Sequence, residues 1–392
     1  MTFPIEIWEQ IFSYIDPVNL IRIKIVCNSW REIINNILKE SDLWYTKCKE
    51  DIPPNEWKLL FETLYPNRSY VDLINASKKE KIWMNMYKWW FKCKQLITCD
   101  IFIDTLYPLA KNQCLEFITC IAVLGNNLAI GTSKGYIYLF NTDDLSNKSM
   151  YVANHMEYVL KVKFLKNSKK IILASSSIND HIKFWDFQSK NLILKDRGKL
   201  LCTSQSYCYT IIENILIVQG CIPKTLYELP VNRIVAGTAD CDKVCFYTEE
   251  GNFFYGLLAE DKELFITKYI QPPSIPIRNY YMFTDIAVCI TEYGSIGFSI
   301  YGKKWKFFDA PSILHGKPTA VLIYGSLLIL GIETGRVYIY YVNNWNKLHL
   351  KSSVARLIIV GKEPIVSLNI STHFTDCLIV ASKKEVHFIH FM

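Results

Sequence analysis

The sequence predicts two textures in one chain: an all-α stretch over roughly the first 95 residues, then an all-β region reaching the end at 392. Three observations carry that division. Apolar residues recur at helical spacing between 3 and 95, short apolar runs punctuated by turn residues follow from 96, and no long helical period occurs after that point. The expected organisation is a small helical module over 1–48, a helical connector over 49–95 and a repeating all-β domain over 96–392.

In the first module Ile7, Ile11 and Ile15 recur every fourth residue, and Trp8 and Phe12 widen the stripe beside them. That spacing predicts a short amphipathic helix. Pro4 sits at its start, where a missing N–H costs nothing, and Asp16-Pro17 stops it, with Asp16 able to cap a second helix that has Pro17 at its first position. The pattern restarts with Leu20, Ile21, Ile25 and Trp30, and a third run, Ile33, Ile34, Ile37 and Leu38, leads to Leu43-Trp44 and Cys48. Roughly three short helices result. They hold more apolar surface than they can bury among themselves, since below about 40 residues a lone core is rarely sufficient, so a partner is expected to cover the excess.

The ordered elements Phe3-Pro4, the first-helix aliphatics, Asp16-Pro17 and Val26-Cys27-Asn28-Ser29-Trp30-Arg31 resemble an F-box. The resemblance implies docking onto the Skp-type adaptor of a cullin-based ubiquitin ligase. Carried over residue by residue, it implies that Phe3, Pro4, Ile7, Ile11, Ile15, Asp16, Pro17, Leu20, Val26, Cys27 and Trp30 face or support the adaptor groove.

The connector carries Trp57, Leu60, Phe61 and Leu64 at helical spacing, a break at Tyr65-Pro66-Asn67, and a second run from Ser77 to Lys94. This second run places Ile82, Met86, Trp89, Trp90 and Cys93 along one side and Lys78, Lys79, Lys81, Lys88 and Lys92 largely on the other. A structural spacer is the favoured reading. A basic membrane-surface or calmodulin-type helix is the alternative.

From 96 onward six hairpin-like units can be read, spanning Leu128 to Phe140, Ile171 to Phe187, Arg233 to Tyr247, Asp285 to Ile300, Leu327 to Val342 and Cys377 to Phe391. Gly135, Gly294 and Gly335 supply the positive φ that tight turns demand. The turn centres lie 41 to 62 residues apart, close to the ~40 to 45 residue period of a WD-repeat propeller blade. The longest gap, from 179 to 241, contains Ile215 to Val218 and Thr225 to Leu229 and could hide a degenerate blade; the segment 97 to 118 could be another. Seven blades are expected. A strand near Leu96 to Ile103 is expected to close the ring against the last blade, which removes exposed sheet edges.

One unit resembles the WD repeat closely: Asn154-His155 precede Trp185-Asp186 by about thirty residues, with Ser175 or Ser176 in the inner strand and Asp180 in the turn. The resemblance assigns His155, Asp180 and Trp185 to a structural hydrogen-bond chain. A catalytic His-Asp pairing finds no activated Ser or Cys at a matching motif. The other blades depart from the pattern, with Phe140, Phe246, Ile300, Tyr340 and Ile389 in or near the strand that would end in Trp-Asp.

Composition narrows the function classes. Half of the residues are apolar, enough for a sizeable core, and no apolar run approaches the ~20 residues that span a bilayer. With Glu6 and Glu9 and no leading basic cluster, the amino terminus does not resemble a secretory signal. The formal charge of +7 is spread in ones and twos, unlike a nucleic-acid surface. Thirteen cysteines are an odd number at irregular spacing and fit reduced thiols. Cys241 and Cys245 have no second pair to complete a zinc site, and His387 and His390, three apart on a strand, point to opposite faces. No metal, cofactor, nucleic-acid or membrane partner is expected, and the location is expected to be cytoplasmic or nuclear.

The order of F-box, connector and propeller resembles the F-box and WD-repeat family of substrate receptors over essentially the whole chain. It implies a non-catalytic subunit of an SCF ubiquitin ligase, whose propeller binds a protein for ubiquitination and proteasomal degradation. A propeller scaffold acting outside degradation is the alternative. Receptors of this family that read phosphorylated segments use arginines at positions that here hold Lys134, Ser177, Ala239 and Glu333, so phosphate recognition is not supported. Tyr158, Arg233, Arg278 and Tyr293 are the candidates for the substrate face, and the substrate itself is not identified.

Overall fold

The computed structural model describes residues 3–65, 70–109, 116–142, 150–166, 171–204, 207–219, 224–228, 233–240, 243–257, 264–283, 286–300, 302–351, 354–371 and 377–391. The chain divides into two compact units: 1–98 together with the short segments 324–327 and 341–347, and the remainder.

Among the described residues the first unit contains seven helices, α1 (Ile5–Ser13), α2 (Pro17–Ile23), α3 (Asn28–Glu40), α4 (Leu43–Asp51), α5 (Pro54–Leu64), α6 (Tyr70–Ile74) and α7 (Lys81–Gln95). Asp16 caps α2 as its type and place suggest: its carboxylate accepts the Val18 N–H at 2.8 Å, and Pro17 occupies the first turn. The unit holds two cores. Phe12, Leu20, Ile33 and Ile34 make the first, with Trp8, Ile15, Trp30 and Leu43 packed around them.

The second core gathers Trp44, Cys48, Ile52, Leu60, Phe61, Leu73, Ile82, Trp83, Met86, Tyr87 and Trp90. It claims α4, which runs to Asp51 past the expected boundary at 48 because Trp44 and Cys48 pack with α5 and α7 rather than with α1. The apolar face of α7 is thereby occupied: Ile82, Met86, Trp90 and Cys93 are buried. A membrane-surface or calmodulin-type helix needs that face free, so this alternative does not hold. The helix also starts at Lys81 rather than Ser77, where the Ser77 N–H instead donates to the Glu80 carboxylate at 2.6 Å in a turn. The expected break at Tyr65-Pro66-Asn67 reaches beyond the described residues.

The second core carries one acid that the sequence did not flag. Glu56, 2% exposed, accepts the Tyr341 hydroxyl at 2.6 Å and the Ser326 hydroxyl at 3.4 Å. Burial raises its pKa, and these two hydroxyls offset part of the rise.

The second unit is a seven-bladed β-propeller. Its four-stranded sheets follow one another along the chain over 118–154, 159–197, 199–228, 234–269, 277–308 and 318–359, and the seventh combines 365–391 with Ile101–Leu106. The small-residue patches Ala129-Ile130-Gly131-Thr132 and Leu173-Ala174-Ser175-Ser176 of the first two blades lie on second strands rather than on innermost ones. Ile118, Leu128, Ile130 and Phe140 of the first blade meet Cys377, Ile379, Val386 and Phe388 of the last. Side chains on the innermost strands lace neighbouring blades together: Thr119 Oγ1 donates to the Val159 carbonyl and Thr319 Oγ1 to the Ile365 carbonyl, both at 2.6 Å.

Ring closure occurs as expected, five residues later in the chain. Ile101–Leu106 pairs antiparallel with Val386–Phe391, from Ile101 opposite Phe391 to Leu106 opposite Val386. The segment 97 to 118 is therefore not an extra blade but supplies the outer strand of the last one. The long gap does hide a blade, 199–228.

Five of the six hairpins read from the sequence are the middle hairpins of their blades. The exception is Arg233 to Tyr247, which pairs the first strand, Ile234–Asp240, with the second, Lys243–Thr248. Phe246 therefore lies on the second strand rather than the third; the small patch Val235-Ala236-Gly237-Thr238 belongs to the innermost strand, and the middle turn falls later, at Gly251 with φ 95°. Cys241 lies outside the described residues.

Gly335 turns the sixth blade at φ 73°, and a Cβ there would meet the Gly361 carbonyl oxygen at 2.4 Å. Left-handed strain and that backbone clash act together. Gly335→Ala is expected to lower unfolding free energy by about 1–3 kcal/mol, measured by thermal melting of the full chain.

Candidate functional site

The amino-terminal helix presents two apolar faces. Trp8, Phe12 and Ile15 turn inward, where Trp8 and Phe12 stack at 5.5 Å between centroids and Trp30 closes against them at 4.8 and 5.2 Å. Ile7 and Ile11 turn outward and stay 40% and 41% exposed, with Phe3 before them at 60%. A residue every third or fourth position shares a helix face, so Ile7, Ile11 and the exposed Tyr14 form one stripe, while the exposed Phe3 precedes the helix and meets Trp8 edge-on at 5.7 Å. The single stripe expected from the sequence is thus two, divided between Ile7 and Trp8.

The turn between α2 and α3 adds Ile25, Val26 and Cys27, all exposed. Pro4 is exposed at the start of α1. Leu20 and Pro17 behave differently: Leu20 is buried in the first core and Pro17 is buried as well, whereas Phe3, Pro4, Ile7, Ile11, Val26 and Cys27 are exposed. Asp16 is internal bracing, bonded to Lys47 Nζ at 2.8 Å. Burial pushes its pKa up, but the Lys47 and Val18 hydrogen bonds outweigh this and hold it below the usual value. Ile25, expected in the second helical run with Leu20 and Trp30, lies instead in the turn after α2, which ends at Ile23, and Tyr14 was not singled out from the sequence.

In the second blade His155 Nε2 lies 2.7 Å from Ser175 Oγ, and Trp185 Nε1 donates to that same oxygen at 3.0 Å. Asp180 is not part of this chain. It sits exposed in the turn at φ 56°, where an Asp tolerates the left-handed region, and its carbonyl accepts the Gly198 N–H at 2.7 Å. His155 Nδ1 is buried without a hydrogen-bond partner. A Ser–His contact of this length invites a catalytic reading, but Ser175 is 0% and His155 5% exposed, so no substrate reaches the hydroxyl. Burial depresses the His155 pKa to about 4, with Lys183 adding to the effect.

The four rim candidates share one end of the propeller, where innermost strands begin and middle hairpins turn. Tyr158 precedes the second blade's inner strand and packs edge-on to Phe117 at 5.9 Å. Arg233 and Arg278 stand at the corresponding place in the fourth and fifth blades, and Tyr293 lies in the fifth blade's middle turn. Arg233 is an exposed ion pair with Glu249 at 3.2 Å. It also lines a cavity of about 800 Å³ with Asp180, His181, Arg197, Lys199 and Glu213, among others. Arg278 and Tyr293 are exposed and are not among the residues of that cavity.

Beside this rim Glu157 gathers donors: Ser177 Oγ at 2.8 Å and His181 Nδ1 at 3.3 Å. Hydrogen bonds from Asn179, Ser177 and His181 bring its pKa to about 2. Among the described residues no group of three or more His, Cys, Asp or Glu side chains is placed to hold a metal ion, and no helix is long and apolar enough to cross a membrane.

A protein-family model for the F-box domain matches residues 2–40. No curated protein matches the chain. The matched span covers α1, α2 and α3, the helices that carry the exposed apolar stripe and its supporting core.

Proposed function

We propose that this chain is the substrate-recognition subunit of an SCF-type cullin ubiquitin ligase. The observation that carries the reading is the outward stripe of Ile7 and Ile11, with Phe3, Val26 and Cys27 also exposed, borne on an F-box whose own core is already filled by other residues. Exposed apolar patches of this kind mark protein interaction sites. Phe3, Pro4, Ile7, Ile11, Val26 and Cys27 contact a Skp-type adaptor; Ile15, Asp16, Pro17, Leu20 and Trp30 hold them in place. The adaptor links the chain to a cullin, and the propeller binds the protein to be modified.

In this reading the chain performs no chemistry. It raises the local concentration of a substrate lysine near the ubiquitin thioester carried by another subunit. The seven-bladed ring suits that task because its rim loops vary freely over a closed scaffold.

Two measurements test it. Purified chain is expected to capture a Skp-type adaptor, and Pro4→Asp is expected to weaken capture about thirtyfold or more, because truncating or charging an anchor at such an interface costs ~2 kcal/mol or more. Reconstituted transfer to a captured partner is then expected to yield a ubiquitinated product. Adaptor capture with no transfer to any captured partner would make the chain a scaffold instead.

A further inference from the structure

The charge of the propeller is unevenly placed. Its seven innermost strands carry Lys161, Lys163, Lys166, Lys199 and Arg278 against one acid, Asp240. Five positive charges and one negative leave +4 on those strands, more than half of the chain's formal +7.

Lys161 and Lys163 flank the buried Val162, so they share one face of their strand, and both are reached by solvent although protein surrounds them. Lys161 Nζ donates to the carbonyls of Leu200 at 3.1 Å and Leu201 at 3.4 Å, the two residues that follow Lys199 on the neighbouring innermost strand. No ion pair among the described residues holds Lys161, Lys163, Lys199 or Arg278. Burial above all, with the like charges of Lys163 and Lys199 adding to it, depresses the Lys161 ammonium to about 8.

Lys199 also lines the rim cavity of about 800 Å³, beside Arg197. The acids of that cavity, Asp180, Glu213 and Glu249, lie on the middle turns of three blades, and Glu249 is held by Arg233. A basic track therefore leads from the cavity, through Lys199, to Lys161 and Lys163 where the blades converge.

We propose that this track receives an acidic segment of the protein that the propeller selects, with Asp or Glu carboxylates entering beside Lys199 and reaching Lys161 and Lys163. The proposal rests on the reading of the propeller as the selecting module. Carboxylates fit better than phosphates because the inner part of the track is built of lysines, compact point charges, and lacks the planar guanidinium forks that grip a phosphate bidentately.

The test is fluorescence anisotropy of the purified full chain with three short peptides: one alternating Glu with Gly, its Gln counterpart and its phosphoserine counterpart. The Glu peptide is expected to bind, to weaken with added salt as screening grows, and to exceed the Gln peptide by about tenfold or more. Lys163→Met, which keeps an unbranched chain one atom shorter and removes the charge, is expected to cost about tenfold, and Lys199→Ser, at an exposed position, several-fold. Equal binding of the Glu and Gln peptides, no loss in either variant, or a phosphoserine peptide held about tenfold tighter than the Glu peptide would each overturn the proposal. Adaptor capture, measured on the same sample, separates the two readings. A chain that holds the adaptor and ignores the peptides refutes the track alone, and one that binds the Glu peptide without the adaptor refutes the docking assignment alone.

Discussion

Ile7→Asp combined with Ile11→Asp is expected to eliminate adaptor capture while leaving the melting of the chain nearly unchanged. Both side chains lie on the outward stripe of α1 at 40% and 41% exposure, and exposed substitutions of this kind usually change stability by no more than about 0.5 kcal/mol. At position 7 the new carboxylate even falls in the first turn of the helix, where the macrodipole favours it. At a covered apolar interface the same change buries an unpaired charge. If each costs at least ~2 kcal/mol, capture weakens about thirtyfold per site before any coupling between them.

Leu20→Ala is the necessary contrast. Leu20 is 0% exposed and packs with Phe12, Ile33 and Ile34, so its truncation is expected to cost about 2–5 kcal/mol of stability. Capture would then be lost through unfolding of the module, visible as a fall in melting temperature that the double Asp variant does not show. The sequence groups Leu20 with Ile7 because both are apolar and both match the F-box pattern. The structure separates them by burial, and paired binding and melting measurements read that separation directly. If the double Asp variant captures adaptor as well as the parent does, the outward stripe is not the docking face.

What the sequence exposes, and what it hides, follows from which physical cues are local. Asp16-Pro17 announces a helix start by chemistry acting over two residues, and the cap forms as that chemistry requires. Gly135, Gly294 and Gly335 announce turns for the same reason, and all three have positive φ. The third blade was harder to read because its middle turn uses Glu213 at φ 52° in place of glycine, so no residue type marks the bend. The fourth blade shifted by one hairpin because a run of small residues suits either an inner or a second strand, and only pairing across the sheet decides between them.

The outward stripe of α1 was half legible. A four-residue period locates α1 but cannot say which of two adjacent apolar rows meets the core; Trp30, arriving from α3, settles that by covering Trp8 and Phe12. The basic track was hidden for a different cause. Lys161, Lys163, Lys199 and Arg278 are scattered along the sequence and become neighbours, or occupants of equivalent strands, only once the ring closes. Glu56 and Tyr341 are likewise distant in the chain, and their 2.6 Å hydrogen bond leaves no periodic trace.

Acidification from pH 7 to pH 5 is expected to remove about 2 kcal/mol of stability that depends on His155. Its imidazole is buried, bonded at Nε2 to Ser175 and without a partner at Nδ1, and burial lowers its pKa from 6.5 to about 4. In the unfolded chain the ring takes a proton as pH drops below 6.5, whereas in the folded blade it stays neutral until about 4. The unfolded state therefore binds more protons throughout that window, and stability falls with pH: fully present above 6.5, progressively lost toward 4. The lowered pKa of His387, buried in the last blade, acts in the same sense. His155→Gln isolates the contribution. At pH 7 the variant is expected to be less stable than the parent by about 1–3 kcal/mol, for the disturbed contact with Ser175. At pH 5 that gap is expected to shrink by about 2 kcal/mol, because glutamine does not titrate. Urea unfolding at the two pH values measures it, and a gap of unchanged size would mean that the folded ring takes its proton at the same pH as the unfolded one and is charged by pH 5. The Ser175 hydroxyl would then have to accept from both the charged imidazole and Trp185, leaving its own proton for the Lys183 carbonyl at 3.3 Å, and the chain that ties the second blade would be ionic rather than neutral.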